Sequence, residues 1–375
     1  MCEQMSIIMD IVQRKNRDEA AIPAVGDGGH DARATQGRVA ADRGDVRVET
    51  VLEIAALYYY EDVTQEALSH RFSISRAKVG RLLKRARAEG LVEIRVHQPP
   101  TVGAELEQEF IRRFGIERLL VSIDHRDADT QRNAVAGLVA SHLERVLTDG
   151  SIVAVGMGRN VAAVANSLVS RPRAGVTFVC AIGGSLRAGE HMNPDHICRR
   201  LAARFGGESE TLYAPALVTN AELRAELYRN DTVKLTLDRA RRADIALIGV
   251  GDLSEDSNLV RMGWFSPREI AEARLAGTIG DTMGYDFIDI HGRPANTGMQ
   301  GRVIGLSRSD LERIPDVIAI ASENTKAAAI LGALRTRAID TLATSFTNAH
   351  TILQLDDATA LPQMSAAARV LAQSE

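Results

Sequence analysis

The sequence predicts an α/β protein: an N-terminal winged helix-turn-helix followed by a C-terminal, mostly parallel α/β domain. Three observations carry this. Residues 64–96 hold a basic helix pair separated by a three-residue turn. Beyond Gly103, short apolar strands alternate with amphipathic helices for about 270 residues, and 375 residues are too many for one small helical domain. The reading divides the chain into an extension over 1–46, a nucleic-acid-reading domain over 47–98 and a ligand-binding domain over 99–375.

Residues 1–46 mix Gly, Ala, Asp and Arg without sustained periodicity, which reads as a disordered extension or as a start codon assigned too early. Glu49–Tyr60 is a helix with Val51, Leu52, Ile54, Ala55 and Leu57 on its apolar face. Its three terminal tyrosines, Tyr58 to Tyr60, are better placed for packing against the next helix than for base stacking. Gln65–Phe72 forms that next helix, Ser73-Ile74-Ser75 the turn, and Arg76–Glu89 the following helix, which Gly90 ends. Leu68, Phe72, Ile74, Val79, Leu82 and Leu83 recur at helical spacing and close a small core. From Arg71 to Arg87 there are seven basic residues and no acidic one. A helix pair so charged is a helix-turn-helix whose second helix enters a major groove of double-stranded DNA. Ser75 caps that helix. Arg76 and Lys78 face base edges, and Arg81, Lys84, Arg85 and Arg87 lie along phosphates. Ser73 occupies a turn position at which a left-handed glycine is common. The alternation Leu91 to Val96 supplies a wing strand.

With 45 Lys and Arg against 49 Asp and Glu, the net charge is −4, so the basic surface is local and polyanion binding is confined to one end. Cys2, Cys180 and Cys198 are dispersed and lack metal-ligand spacing, as do the histidines, so neither a metal nor another cofactor is expected. No apolar run reaches the ~18 residues of a bilayer span and no signal peptide opens the chain, so a cytoplasmic protein is expected.

Gln98-Pro99-Pro100 starts a linker. The next elements are helix 104–114, strand 118–123, helix 129–147 and strand 152–155, then helix 161–168, strand 176–181 and helix 194–205. Strand 210–213, helix 232–242 and strand 245–250 follow. Segments 285–290 and 302–306 flank His291-Gly292-Arg293 as a hairpin-like insertion. Strand 317–320, helix 325–334, strand 341–344 and helix 348–355 complete the pattern. Such alternation builds a sheet covered on both faces.

Ligands of such sheets sit at the carboxyl ends of strands. Four ends are chemically loaded. Gly156 and Gly158 either bring backbone N–H groups toward an anion, with Arg159 and Asn160 as further donors, or form a purely structural tight turn. This Gly-x-Gly lacks the third glycine and the ribose-binding acid of a dinucleotide fold. Gly183, Gly184 and Ser185 follow a second strand, and Gly249 to Asp252 a third. At the fourth, Ser322 to Lys326, a lysine in the first turn of a helix opposes the helix dipole, which an anionic partner would offset. Asp281 either accepts hydrogen bonds from sugar hydroxyls or caps a turn. Trp264, the one tryptophan, belongs to a lid or a subunit contact.

From Tyr58 the chain reads YYYEDVTQEALSHRFSISRAKVGRLLKRARAEGLVEI. Later stretches read VGMGRNVAAVA, AIGGS, YAPALV, RRADIALIGVGDL, GTIGDTMGYDFIDIHGRP, RVIGLSRSDLERIPDVIAIA and KAAAILGAL. Over roughly residues 50–360 these resemble the SorC-type sugar-binding transcriptional regulators of bacteria. The resemblance implies an effector domain similar to sugar-phosphate isomerase folds. It also implies that a phosphorylated sugar, or a related sugar or polyol, controls DNA binding, and that the protein acts as a homodimer or homotetramer. The competing reading, an isomerase using Asp281 and Lys326 as acid and base, leaves the groove-reading helix without a purpose.

Overall fold

Thr64 ends an extended segment and accepts a hydrogen bond from the Ala67 amide, so the chain turns helical at Gln65; Ser75 does the same for the Lys78 amide. These two caps frame the helix pair in a computed structural model, which describes residues 46–92, 100–167, 175–254, 257–283, 285–295 and 300–372. Contacts divide it into two units, one ending at Ala88 and the other beginning at Glu89.

The first unit holds α1 (Val48–Tyr60), α2 (Gln65–Arg71) and α3 (Arg76–Ala88). Val51, Ile54, Ala55 and Leu57 of α1 are buried with Leu68, Val79, Leu82, Leu83 and Ala86. Two expectations are corrected. Leu52 is 43% exposed, because it lies off the face that α1 turns toward α3, and Phe72 and Ile74 are only half-buried. Tyr58 and Tyr59 meet edge to face at 4.9 Å, while Tyr60 is exposed. Ser73 takes a φ of +52°, the left-handed conformation anticipated at this turn. The expected extension before residue 46 and the wing strand beyond Val92 lie outside the described residues.

The second unit opens with α4 (Pro100–Phe114), longer than expected, and β1 (Arg118–Ser122). It continues through α5 (Ala128–Val146), β2 (Ile152–Val155), α6 (Arg159–Val164), β3 (Thr177–Cys180), α7 (Pro194–Phe205) and β4 (Glu208–Glu210). Next come α8 (Ala221–Arg229), α9 (Asp231–Ala240), β5 (Ile245–Asp252), α10 (Asn258–Arg261), α11 (Pro267–Leu275), β6 (Thr278–Thr282) and β7 (Asp286–Asp289). The last elements are α12 (Arg308–Leu311), β8 (Asp316–Ala321), α13 (Ala327–Arg335), β9 (Thr341–Ser345) and α14 (Phe346–Ala372). The strands pair in parallel in the order β1-β9-β8-β5-β2-β3-β4. Every residue of β3 and β9 is buried, as in a sheet covered on both faces. Among the described residues no helix is long and apolar enough to cross a membrane.

The expected insertion is paired differently. β7 joins β6 as an antiparallel hairpin, and β6 extends the end of β5 through Gly251 opposite Asp281. The 302–306 segment instead bridges Gly305 to Ile182 and Val303 to Leu217. Asp281 therefore lies on a strand, not on a loop between a helix and a hairpin. The expected strand at 210–213 is displaced to Glu208–Glu210, where Gly207 takes the chain past Val176 into register with β3.

From β2 the chain passes to β3 and β4 on one side, then returns to β5 on the other. The carboxyl ends of β2 and β5 thus form a switch point, the usual crevice for ligands in open α/β sheets.

The positive φ at Ser73 yields the first prediction. Ser73→Gly should stabilise the helix pair by up to about 1 kcal/mol, whereas Ser73→Val should destabilise it by roughly 1–2 kcal/mol. Hydrogen exchange of the α2 and α3 amides in the full-length protein measures both, and equal protection in the two variants would contradict the turn geometry.

Candidate functional site

Across that switch point lies a cavity of about 210 Å³, bordered by residues 157–160 and 249–252 and by Glu323, Thr325 and Lys326, at the ends of β2, β5 and β8. Asp281 and Met283 of the β6–β7 hairpin close one side, and Leu259, Met262 and Trp264 another. The volume is below the ~300–1,000 Å³ of pockets for drug-sized ligands, so it suits a molecule of sugar size.

Gly158 turns the chain from β2 into α6 with φ +111°, a conformation that side chains with a Cβ rarely adopt. This brings Arg159 and Asn160 to the cavity. Gly251 serves a close approach instead: a Cβ there would meet the Asp281 carboxylate at 2.2 Å. Asp281, 1% exposed, is thereby laid along the backbone of β5.

Glu323 lies between the two strand ends, and sequence reasoning had not singled it out. Its Oε2 accepts a hydrogen bond from Asn160 Nδ2 at 2.8 Å and pairs with Lys326 Nζ at 3.1 Å. Its Oε1 stands 3.8 Å from Arg159 Nη2 and 3.8 Å from Arg132 Nη2, the latter carried on α5. Ser322 Oγ donates to Asn160 Oδ1 at 2.6 Å, so the amide of Asn160 is held from both ends. Lys326 Nζ also donates to the Val250 carbonyl at 2.9 Å, which ties the end of β8 to β5. Asn348, at the start of α14, donates to the Glu323 carbonyl and fixes the loop from below. Burial raises the pKa of the Glu323 carboxyl, but the Lys326 ammonium and the Asn160 amide outweigh it and hold the group at about 2. Glu323 is thus an anion at every physiological pH.

Of the residues expected at the ligand, Gly158, Arg159, Asn160, Asp281 and Lys326 share this cavity. Gly156, Gly183, Gly184 and Ser185 do not line it. The Gly156 amide donates to Leu247, that of Gly183 to Ile304, and that of Gly184 to Ala214. The Ser185 amide donates to Asn193 Oδ1. The glycine ends of β2 and β3 therefore spend these N–H groups on neighbouring backbone and loops rather than presenting them to an anion. Ser185 acts one step away, since its hydroxyl accepts the Trp264 indole N–H at 3.1 Å. Trp264 is accordingly a buried wall residue of the cavity, 4% exposed. The methionines at 157, 192, 262 and 283, also on the wall, gave no signal beyond ordinary core residues.

In the first unit, Ser75, Arg76, Arg81 and Lys84 are exposed along α3, and Lys78 is half-buried. Arg76 stands 3.8 Å from Glu66. Arg85 differs from the expectation: it is half-buried and donates to the Val46 carbonyl at 3.2 Å, so part of its hydrogen-bonding capacity braces the start of α1.

Glu323 makes the domain sensitive to acid. Its folded pKa lies below the ordinary value of 4.5, so its stabilisation is complete above pH 4.5 and fades as pH falls toward 2. Glu323→Gln should cost roughly 1–3 kcal/mol at pH 7 and distinctly less at pH 3. Urea denaturation at the two pH values measures this, and a pH-independent difference would contradict the ion pairing.

The model described as "Putative sugar-binding domain" matches residues 98–354. The sorbitol operon regulator of Klebsiella pneumoniae is 29% identical over 83% of this chain and 98% of its own length. The crystal structure of the full-length sorbitol operon regulator SorC from the same organism superposes with a TM-score of 0.61, at 28% identity over 81% of this chain and 98% of that one. A domain of a transcriptional repressor from Vibrio fischeri is 48% identical, covering 68% of this chain and 99% of its own, with a TM-score of 0.63. The chain belongs to the SorC-type sugar-binding transcriptional regulators.

Proposed function

We propose that this regulator reads double-stranded operator DNA through α3 and takes a small carbohydrate into the cavity at the ends of β2, β5 and β8. The carrying observation is the cavity's chemistry. Arg159 and Lys326 donate, Asp252, Asp281 and Glu323 accept, and Trp264 and Leu259 offer apolar faces, all around about 210 Å³. A polyol or sugar presents just such a mixture of hydroxyls and C–H faces. The sorbitol named for the Klebsiella relative is of this chemical class.

At α3, Ser75, Arg76, Lys78 and Arg81 are proposed to contact the operator first, with Lys84 and Arg85 nearer the phosphates. One such helix reads one half-site, so the acting species is a symmetric dimer or a higher oligomer. A monomer that bound operator tightly would contradict this in sedimentation.

Binding rather than turnover is favoured by the state of Lys326. Its ammonium is engaged by Glu323 and by the Val250 carbonyl, an arrangement suited to holding strand ends together rather than to taking up a proton. Turnover of sugar phosphates by the purified protein would revive the isomerase reading with Asp281 and Lys326 as acid and base.

Lys326→Ala should reduce the effector-induced change in operator affinity at least tenfold, read by fluorescence anisotropy of labelled operator. A response like the wild type's would remove Lys326 from the effector site. Arg76→Ala should lower the preference for operator over random DNA by ~1–3 kcal/mol if its contact is bidentate. Lys84→Ala should instead weaken all sequences alike and flatten the salt dependence. Unchanged discrimination in the Arg76 variant would move base reading elsewhere.

A further inference from the structure

We propose that the effector is an uncharged polyol or sugar, because the cavity already holds its own anion, the Glu323 carboxylate. The inference rests on reading this cavity as the effector site and deepens that reading by fixing the ligand's charge class.

Cations placed around a cavity ordinarily advertise a phosphate. Here they face an internal partner. Lys326 divides its donors between Glu323 and the Val250 carbonyl, and Arg159 and Arg132 both turn a nitrogen toward Glu323 Oε1. Asn160, the remaining donor at the end of β2, gives its N–H to the same carboxylate. Along the lining, Arg159, Arg261 and Lys326 are balanced by Asp252, Asp281 and Glu323. A phosphate dianion entering this space would meet three lining carboxylates matched by three lining cations, and Arg132 behind Glu323 is already paired with it and with Asp129.

The atoms left over have a more specific demand. Glu323 Oε1 and Arg159 Nε are buried and have no hydrogen-bond partner among the described residues. Ser257 Oγ, on the cavity wall and 7% exposed, is in the same condition. Glu323 Oε1 needs a donor, Arg159 Nε needs an acceptor, and a serine hydroxyl takes either. A hydroxyl, donor and acceptor at once, is chemically suited to groups of all three kinds. The dianion of a phosphate ester has phosphate oxygens that only accept, and it would stand as a like charge beside the Glu323 carboxylate. The carboxyl cannot escape this by protonation at physiological pH, since Lys326 and Asn160 keep it ionised against the effect of burial.

The test uses the full-length protein and two sets of probes. Erythritol, ribitol and sorbitol are titrated against their terminal phosphate monoesters, and inorganic phosphate is titrated into the wild type and into Glu323→Gln. The wild type should bind at least one neutral polyol, and its phosphate ester at least tenfold more weakly. Glu323→Gln, with the internal anion neutralised, should gain at least tenfold in affinity for inorganic phosphate. Tighter binding of the esters by the wild type, or equal phosphate affinity in the two proteins, would overturn the proposal. Should Glu323→Gln not fold, the wild type's own choice within each polyol and ester pair decides. A panel in which no polyol or ester binds counts against the effector site itself, while the phosphate comparison still decides the charge.

Discussion

The carboxyl ends of β2, β5 and β8 are organised around one half-buried carboxylate and the groups that keep it charged. Glu323 sits where β8 gives way to α13, and through it β8 is joined to β2 by Asn160 and, with Lys326, to β5 by the Val250 carbonyl. In a parallel sheet the strands pair along their lengths, but nothing in the ladder dictates how the loops beyond their ends are arranged. A charge that must not be left unpaired supplies that constraint, because an isolated buried carboxylate costs far more than the same group hydrogen-bonded and ion-paired. The arrangement of these loops follows from pairing the Glu323 charge through its Oε2.

The same constraint links the site to the fold beneath it. The switch between β2 and β5 opens a crevice that the β6–β7 hairpin then covers, and the hairpin is seated by small residues. Gly280 lies so close to α13 that a Cβ there would meet Ala329 Cβ at 2.5 Å. That approach puts Asp281 against β5 at one wall of the cavity, while α13 itself begins just after Lys326 at another. The polar side chains of the wall are thus held by packed backbone on several sides, while Met157, Met192, Met262 and Met283 supply its adaptable apolar part.

Much of this was legible in the sequence because the strands are apolar and the helices between them periodic. Ile152–Val155 and Pro194–Phe205 are found where hydropathy puts them. The reading failed where structure depends on pairing instead. The strand Thr278–Thr282, TIGDT, has little apolar signal, and only its place beside the overhang of β5 makes it a strand. Glycines were overvalued for a similar reason. Gly183 and Gly184 mark a close passage of backbone against residues 214 and 215, which looks in sequence like room for a ligand. Glu323 was overlooked because an acid three residues before a lysine resembles a surface ion pair. Its one signal was position: a polar run, Ser322 to Lys326, directly after a buried strand.

A regulator of this kind is defined by linkage, since an effector changes operator binding only to the extent that it binds the two states of the protein differently. The most direct measurement is the operator affinity of the full-length protein, by anisotropy of an operator selected from random DNA, with and without a saturating polyol that calorimetry has shown to bind. Coupling of ~1–3 kcal/mol, the usual range, corresponds to a 5–150-fold change in the dissociation constant, and a change within that range is the predicted result. Superimposable binding curves, with the polyol demonstrably bound, would contradict the account.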